Sequence, residues 1–352
     1  MTTHAYTSFS YSYLDRARVL VRSLRKLHPD WVVWAILTDK EPPGYHLDWK
    51  GEDFDHLVTA EDLFGSETER WLFGHDIVEA CTAVKGRALQ RIMADPSAEK
   101  ILYFDPDIAL FNTMNEVVDL LDQHSIVLTP HQLDPDPASH TQAIRDNEIN
   151  SLDYGVFNLG FLAVKNDDEV RNFAQWWSDR LFDWCHDRRD IGVFVDQKWC
   201  NLIPCFFDSV KILRDPGYNV ASWNLSQRKM KFDDSGTALI NGVPLRFYHF
   251  TKLGPVGDTM TRRYAGDNYE VHELWWWYRQ QVNASVDPRI PKGWWYYGRF
   301  ENGQPIEKHV RELYRSRLDL RAAFPHPRDV GPNSFFEWIR YSKDVAPAIG
   351  TT

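Results

Sequence analysis

Short unbroken apolar runs alternate with helical stripes along the first 130 residues of the chain. HAYTSFS is a short β-prone run. In YLDRARVLVRSLRKLHPD, Leu14, Ala17, Val21, Leu24 and Leu27 recur at helical spacing and give one apolar face. His28, Pro29 and Asp30 end that helix. WVVWAILTD is then almost wholly apolar, as expected of a strand covered on both faces. Pro42-Pro43-Gly44 reads as a loop, and HLVTAEDL as a short strand with a turn. A helix is predicted from Asp76 to Ala94, then a strand and its exit in EKILYFDPDIALF. MNEVVDLLDQH predicts a short helix and SIVLTP a further strand. Strands alternating with helices predict a mostly parallel, doubly wound α/β sheet.

The pattern is looser beyond this point. Residues from about 131 to 150 are polar, contain prolines and read as a long loop. YGVFNLGFLAVKN is a strand with glycines inside it, and a strand glycine often marks the close approach of a ligand or backbone. Asp168 to Asp187 predicts a helix whose Phe173, Trp176, Trp177 and Phe182 are read as core packing. LRFYHFTK is a late strand and exit. From about residue 268 the chain is Trp- and Tyr-rich and reads as irregular, apart from a helix in IEKHVRELYRSRL. Two regions are expected: a catalytic domain over 1–267 and an aromatic-rich C-terminal subdomain over 268–352 that packs on it. There is no internal repeat.

Composition narrows the function classes. The 352 residues are 43% hydrophobic, ample for a large core. The net charge is −10 and the basic residues are dispersed, which argues against a nucleic-acid groove or a polybasic membrane anchor. Cys81, Cys185, Cys200 and Cys205 show no CxxC pairing and read as reduced, buried thiols of a cytoplasmic protein. No stretch approaches the ~20 apolar residues of a membrane span. A cytoplasmic protein is expected, free or peripheral at the inner membrane face.

The candidate chemistry begins at ILYFDPDIALF, where an apolar run is interrupted by Asp105 and Asp107. In an extended segment, residues two apart point the same way. Two carboxylates aimed at one point need a counter-charge, and a hard divalent cation, Mn²⁺ or Mg²⁺, supplies one while leaving room for phosphate oxygens. In a doubly wound sheet, ligands bind beyond the carboxyl ends of the strands, where this pair lies. His249 in YHFTK follows a predicted strand and is the candidate third ligand. The competing role for a His among aromatics is core packing. Lys252, three residues on, could neutralise a diphosphate leaving group.

YFDPDIALF, VFNLGFLAVKN, DQKWCNLI and YHFTK, in this order, resemble the glycosyltransferases of GT-A fold, nearest to the retaining family-8 type and its bacterial relatives. The resemblance runs from about residue 4 to 255. WYYGRFENGQPI followed by RELYR resembles a tail of bacterial polysaccharide-assembly enzymes. The resemblance implies a GT-A, Rossmann-like fold and a metal-dependent transfer of a sugar, with retention, from a nucleotide diphosphate to a hydroxyl. A UDP-sugar is favoured as donor, with GDP or dTDP as alternatives. The acceptor would be a glycan, a lipid-linked glycan or a small molecule. By the same resemblance Asp105, Asp107 and His249 bind metal, Asn158 and Gly160 meet the donor sugar, and Asp196 and Gln197 lie beside the anomeric carbon. Lys252 holds the diphosphate. Either Lys85 or Arg87 lies near the donor. The first strand departs from the pattern: SFSYSYL offers Tyr11 and Tyr13 for the base but no Asp. Asp196 could equally cap a helix.

Rival functions fit less well. An aspartyl-nucleophile phosphatase would carry Thr or Val two residues after the second Asp, where Ala109 stands. A nucleotidyltransferase would want a glycine-rich loop after the first strand, and AYTSFSYSY has no glycine. A non-catalytic carbohydrate-binding protein would use the aromatic tail for stacking.

Overall fold

The computed structural model describes residues 2–342. Seven strands form the central sheet. β1 (Thr2–Phe9), β2 (Val32–Leu37), β3 (His56–Thr59), β4 (Ala98–Phe104), β6 (Ile126–Pro130) and β7 (Phe157–Lys165) are joined at one edge by Val210–Ile212. β5 (Ile108–Leu110) leaves this sheet. From that edge the order is Val210–Ile212, β6, β7, β4, β1, β2, β3. β7 alone runs antiparallel to its neighbours β4 and β6; the other pairings are parallel. Helices flank both faces, giving a mixed α/β fold with a mostly parallel sheet, as the hydrophobic rhythm predicts. Among the described residues no helix is long and apolar enough to cross a membrane.

Three departures have physical causes. The helix predicted over Asp76 to Ala94 is two, Ile77–Ala83 and Lys85–Met93. Just past the break the second presses on helix Asp168–Trp184, where a Cβ on Gly86 would lie 2.7 Å from Ser178 Cα. The loop predicted over 131–150 is irregular only in its first half. Thr141–Ala143, Ile144–Ile149 and Asn150–Tyr154 then run on as helix, the middle piece a π-turn. Its buried residues, Ala143 and Asn147, are too few to register as an apolar stripe. The region after 268 opens with a 17-residue helix, Tyr269–Ser285, rather than irregular chain. Val271, Leu274, Trp275, Tyr278 and Val282 form its buried stripe, masked in sequence by outward aromatics such as Trp276, 66% exposed.

That helix anchors the strand Phe247–His249. Tyr278 stacks on Phe250 at 3.8 Å between ring centroids, and Trp275 Nε1 donates to the Tyr248 hydroxyl at 3.0 Å. Tyr248 and Phe250 are thus held on one side, and His249 faces the other. A separate cluster gathers Phe73, Phe300, Val310, Tyr314, Phe335 and Ile339. Of the 268–352 region, 343–352 lie outside the described residues. The four thiols are unpaired; Cys185 and Cys200 are buried as expected, whereas Cys81 is half-buried and Cys205 exposed.

Candidate active site

The antiparallel direction of β7 brings its amino end, with Asn158 and Gly160, to the edge where β1, β4 and β6 deliver their carboxyl ends. A cavity of about 490 Å³ opens there. Beyond β4, Asp105, Pro106 and Asp107 make a turn closed by the Ile108 N–H bonding to the Asp105 carbonyl at 3.1 Å. β5 follows and pairs antiparallel with Phe247–His249, setting His249 opposite Ile108 and so beside Asp107. His249 Nε2 lies 3.0 Å from Asp107 Oδ1 and 3.7 Å from Asp105 Oδ2.

The two acids and the imidazole each offer a ligand atom, all within 4.8 Å of one another. Two carboxylate oxygens and one ring nitrogen are a donor set that a divalent cation such as Mn²⁺ accepts. Burial lowers the His249 pKa, but Asp107 and Asp105 outweigh burial and leave it raised. His249 Nδ1 meets Asn158 Oδ1 at 3.2 Å, which fixes the ring from behind. Gly160 has a separate reason to lack a side chain: a Cβ there would lie 2.5 Å from His249 Cε1.

Lys85 starts its helix immediately after the break and is wholly buried. Its ammonium lies 2.8 Å from Asp196 Oδ2 and 3.2 Å from Asp105 Oδ1, and donates to the Leu159 carbonyl at 3.0 Å. It also lies over the Tyr103 ring, whose hydroxyl donates to Asp105 at 2.6 Å. Burial alone would lower the Lys85 pKa, yet Asp105 and Asp196 raise it, so the side chain stays charged. Burial pushes Asp196 up to about 6 against the pull of Lys85. Val195, just before it, has φ 35, a value strained for a β-branched residue. Asp196 faces Lys85; the cap residue of the following short helix, Lys198–Leu202, is Gln197.

Gln197 is engaged within the protein. Its Oε1 accepts from Asn158 Nδ2 and the Leu159 N–H, both at 3.2 Å, and its Nε2 donates to the Tyr154 carbonyl at 3.1 Å. Tyr13 lines the cavity near the end of β1, with Arg16 stacked over its ring at 4.1 Å. Lys252 also lines the cavity, exposed and at φ 54. Of the two basic candidates on the helix, the structure brings only Lys85 to the cavity. Arg87 turns away, over Phe64 and Phe182, and donates to the Leu63 carbonyl.

Sequence reasoning missed Tyr103, His131 and Trp223, which also line the cavity. Tyr103 was readable, since it stands two residues before Asp105 and shares its side. His131 directly follows β6 at the same carboxyl edge. Trp223, whose ring lies 5.3 Å from that of His249, comes from a segment without periodicity and gave no signal.

No family model matches the chain. Two curated Bacillus subtilis proteins are similar to it. The uncharacterized protein YfnF is 24% identical over 254 residues, 71% of this chain and 82% of its own length. The uncharacterized protein YfnD is 24% identical over 292 residues, 81% of this chain and 85% of its own length. Among solved structures, the galactosyltransferase LgtC with donor and acceptor sugar analogues is 15% identical at a TM-score of 0.46, covering 83% of this chain and 99% of LgtC. The glycosyltransferase GlyE of Streptococcus pneumoniae is 15% identical at a TM-score of 0.43, covering 80% of this chain and 62% of GlyE.

Proposed function

We propose that this protein is a metal-dependent glycosyltransferase that moves a sugar from a nucleotide diphosphate, a UDP-sugar in first place, to a hydroxyl acceptor with retention. The observation that carries the reading is the convergence of Asp105, Asp107 and His249 at the carboxyl edge of the sheet, with the charged Lys85 beside them. Those three residues would hold Mn²⁺ or Mg²⁺, which supplies Lewis-acid stabilisation of a diphosphate leaving group when bound.

The chain's own residues have distinct tasks in this reading. Lys85 is the shared counter-charge of Asp105 and Asp196 and fixes where each points. Asn158 orients His249. Lys252, free of a carboxylate partner among the described residues, reaches for the diphosphate as a fixed positive charge. Tyr13 stacks on the base. Asp196 and Gln197 face the transferring sugar, where developing positive charge at the anomeric carbon meets a carboxylate and an amide oxygen. Gln197 must then exchange a protein hydrogen bond for one to the sugar. The Asp105 carboxylate is held by Lys85 and Tyr103, a poor state for the attacking nucleophile of a phosphatase. The division into a catalytic 1–267 and an aromatic 268–352 subdomain belongs to the same proposal, as does a cytoplasmic place of action.

The test is hydrolysis and transfer with a panel of UDP-, GDP- and dTDP-sugars, with Mn²⁺, Mg²⁺ or EDTA. Turnover of one donor that EDTA abolishes is expected. No turnover and no nucleotide-induced thermal stabilisation under any metal would sink the reading. One-dimensional NMR of the anomeric proton then reads retention directly.

A further inference from the structure

Asp39 lies two residues beyond β2 and is only 4% exposed. Three main-chain N–H groups meet its carboxylate. Oδ2 accepts from Tyr11 at 3.2 Å; Oδ1 accepts from Lys40 at 2.9 Å and from Tyr296 at 2.8 Å. No side-chain cation pairs with it among the described residues; the Lys40 ammonium turns to Glu61, 3.4 Å away. Burial pushes its pKa up to about 7 in spite of the three donors. A buried carboxylate met by amide dipoles alone is costly to keep. Such local rules are broken chiefly where a site requires it.

The two oxygens address different parts of the molecule. Tyr11 opens the short 3₁₀ turn Tyr11–Tyr13 at the end of β1. Ser10, just before that turn, and Tyr13, at its end, both line the cavity. Tyr296 stands 257 residues from Asp39 in sequence, in the segment Trp294–Tyr297. Trp294 Nε1 donates to the Lys40 carbonyl at 2.8 Å and the Tyr297 hydroxyl to Glu61 at 3.2 Å, so this segment lies just past β2 and β3. Trp294 also packs against the apolar cluster that holds Phe9 and Tyr11. Among the described residues none beyond Met260 lines the cavity. The segment reaches the cavity wall at one remove, through Asp39.

We propose that Asp39 is a positioning residue: it ties the Tyr11–Tyr13 turn to the Tyr296 N–H, so that the C-terminal segment sets the wall against which a nucleotide base lies. The nucleotide half of this statement rests on the glycosyltransferase reading; the tie between the two segments does not. A carboxylate suits the task because both its oxygens accept. Asn has one acceptor oxygen and an amide that donates, so it can serve Tyr11 or Tyr296 but not both.

The test uses the full chain in three variants: Asp39→Asn, Tyr296→Pro and Tyr296→Ala. Tyr296 is the first residue of a 3₁₀ turn and follows an extended Trp295, a place where proline fits the backbone. Both Tyr296 variants lose the ring, and Tyr296→Pro alone also loses the N–H. Hydrogen exchange, read without ligand, should speed up at the amides of Tyr11–Tyr13 in Asp39→Asn and Tyr296→Pro but not in Tyr296→Ala. Calorimetry with Mn²⁺ and UDP, GDP or dTDP should show the best-bound nucleotide weakened about five-fold in the same two variants, roughly the worth of one hydrogen bond. Mn²⁺ alone should bind as in the wild type, because its ligands stand on other elements. A purely structural Asp39 would lower the melting temperature and leave this pattern absent. The proposal falls if Tyr296→Pro and Tyr296→Ala exchange alike at the turn, if exchange quickens while nucleotide affinity holds, or if Mn²⁺ affinity drops in parallel. Should Asp39→Asn fail to fold, the two Tyr296 variants decide. If no nucleotide binds even the wild type, the glycosyltransferase reading falls, and the exchange comparison alone decides the tie.

Discussion

Two clusters of buried charge lie on either side of the helix Ile77–Ala83, and only one of them has the makings of a site. On one side Lys85, Asp105, Asp107, Asp196 and His249 border the cavity. On the other, Glu79 is 1% exposed beneath the C-terminal region. It accepts from the Asp187 N–H at 2.9 Å and from the Asp76 N–H and Arg315 Nη1 at 3.1 Å each. His186 lies 3.9 Å away and the His75 ring 5.2 Å from that of His186. Neither Glu79 nor these partners line the cavity. The Glu79 cluster is closed: main-chain donors and an arginine meet its carboxylate, and it welds the helix to the last third of the chain. The Lys85 cluster is open: two of its acids converge with an imidazole at a solvent-reached edge. Burial and a shifted pKa are common to both. Convergence on a cavity separates them.

The sharpest break between the two should come from Asp107→Ala. It removes one of three converging ligands, and donor turnover in saturating Mn²⁺ should fall by at least ~100-fold, more than the loss typical of an outer-shell partner. Little change would show that the cluster is not a metal site. Gly160→Ala acts on the same cluster through sterics, driving the His249 ring aside. Mn²⁺ affinity, measured by calorimetry, should drop by ~10–100-fold, and unchanged affinity would disprove the role given to His249. Lys85→Met leaves Asp105 and Asp196 without their shared counter-charge, so stability in urea should fall by ~3–5 kcal/mol.

On the closed side, Glu79→Gln should also lower stability, by ~1–3 kcal/mol, with kcat at 25 °C kept within a factor of about two, because its effect lies on the weld. A matching loss of kcat would merge the two clusters. A further expected effect is acid sensitivity. Burial, with His186 beside it, holds His75 down at about 3. Between its unfolded value near 6.5 and that pKa, the unfolded chain binds a proton that the folded chain refuses. Its contribution is therefore complete above pH 6.5 and is lost on acidification, by at most ~1.4 kcal/mol per pH unit. His75→Gln should flatten the fall of the melting temperature between pH 6 and 4; an identical profile would exclude it.

Much of this was legible in the chain itself. The strand runs, the helix Leu14–Leu27 and the two acids at the end of β4 follow from local rhythm and local cost. The order of the strands and the reversed β7 do not, because a strand's apolar run reads alike in either direction. Lys85 and Arg87 were indistinguishable because both stand in one amphipathic turn; the break at Val84 and the close approach at Gly86 decided between them. The closed cluster left no trace in sequence, since Glu79 and Arg315 are ordinary helix residues until the chain has folded. Helix Tyr269–Ser285 was hidden because aromatics on its outer face blur the contrast that periodicity depends on.

The pairing of β5 with Phe247–His249 has a consequence in time. It joins segments roughly 140 residues apart, a long loop whose closure entropy must be met before the contact forms. During synthesis the sheet through β7 can assemble while Asp107 still waits for its histidine. A nascent chain cut short before residue 247 would carry the two acids with nothing to complete them. In refolding, recovery of Mn²⁺ binding should accordingly trail recovery of the sheet.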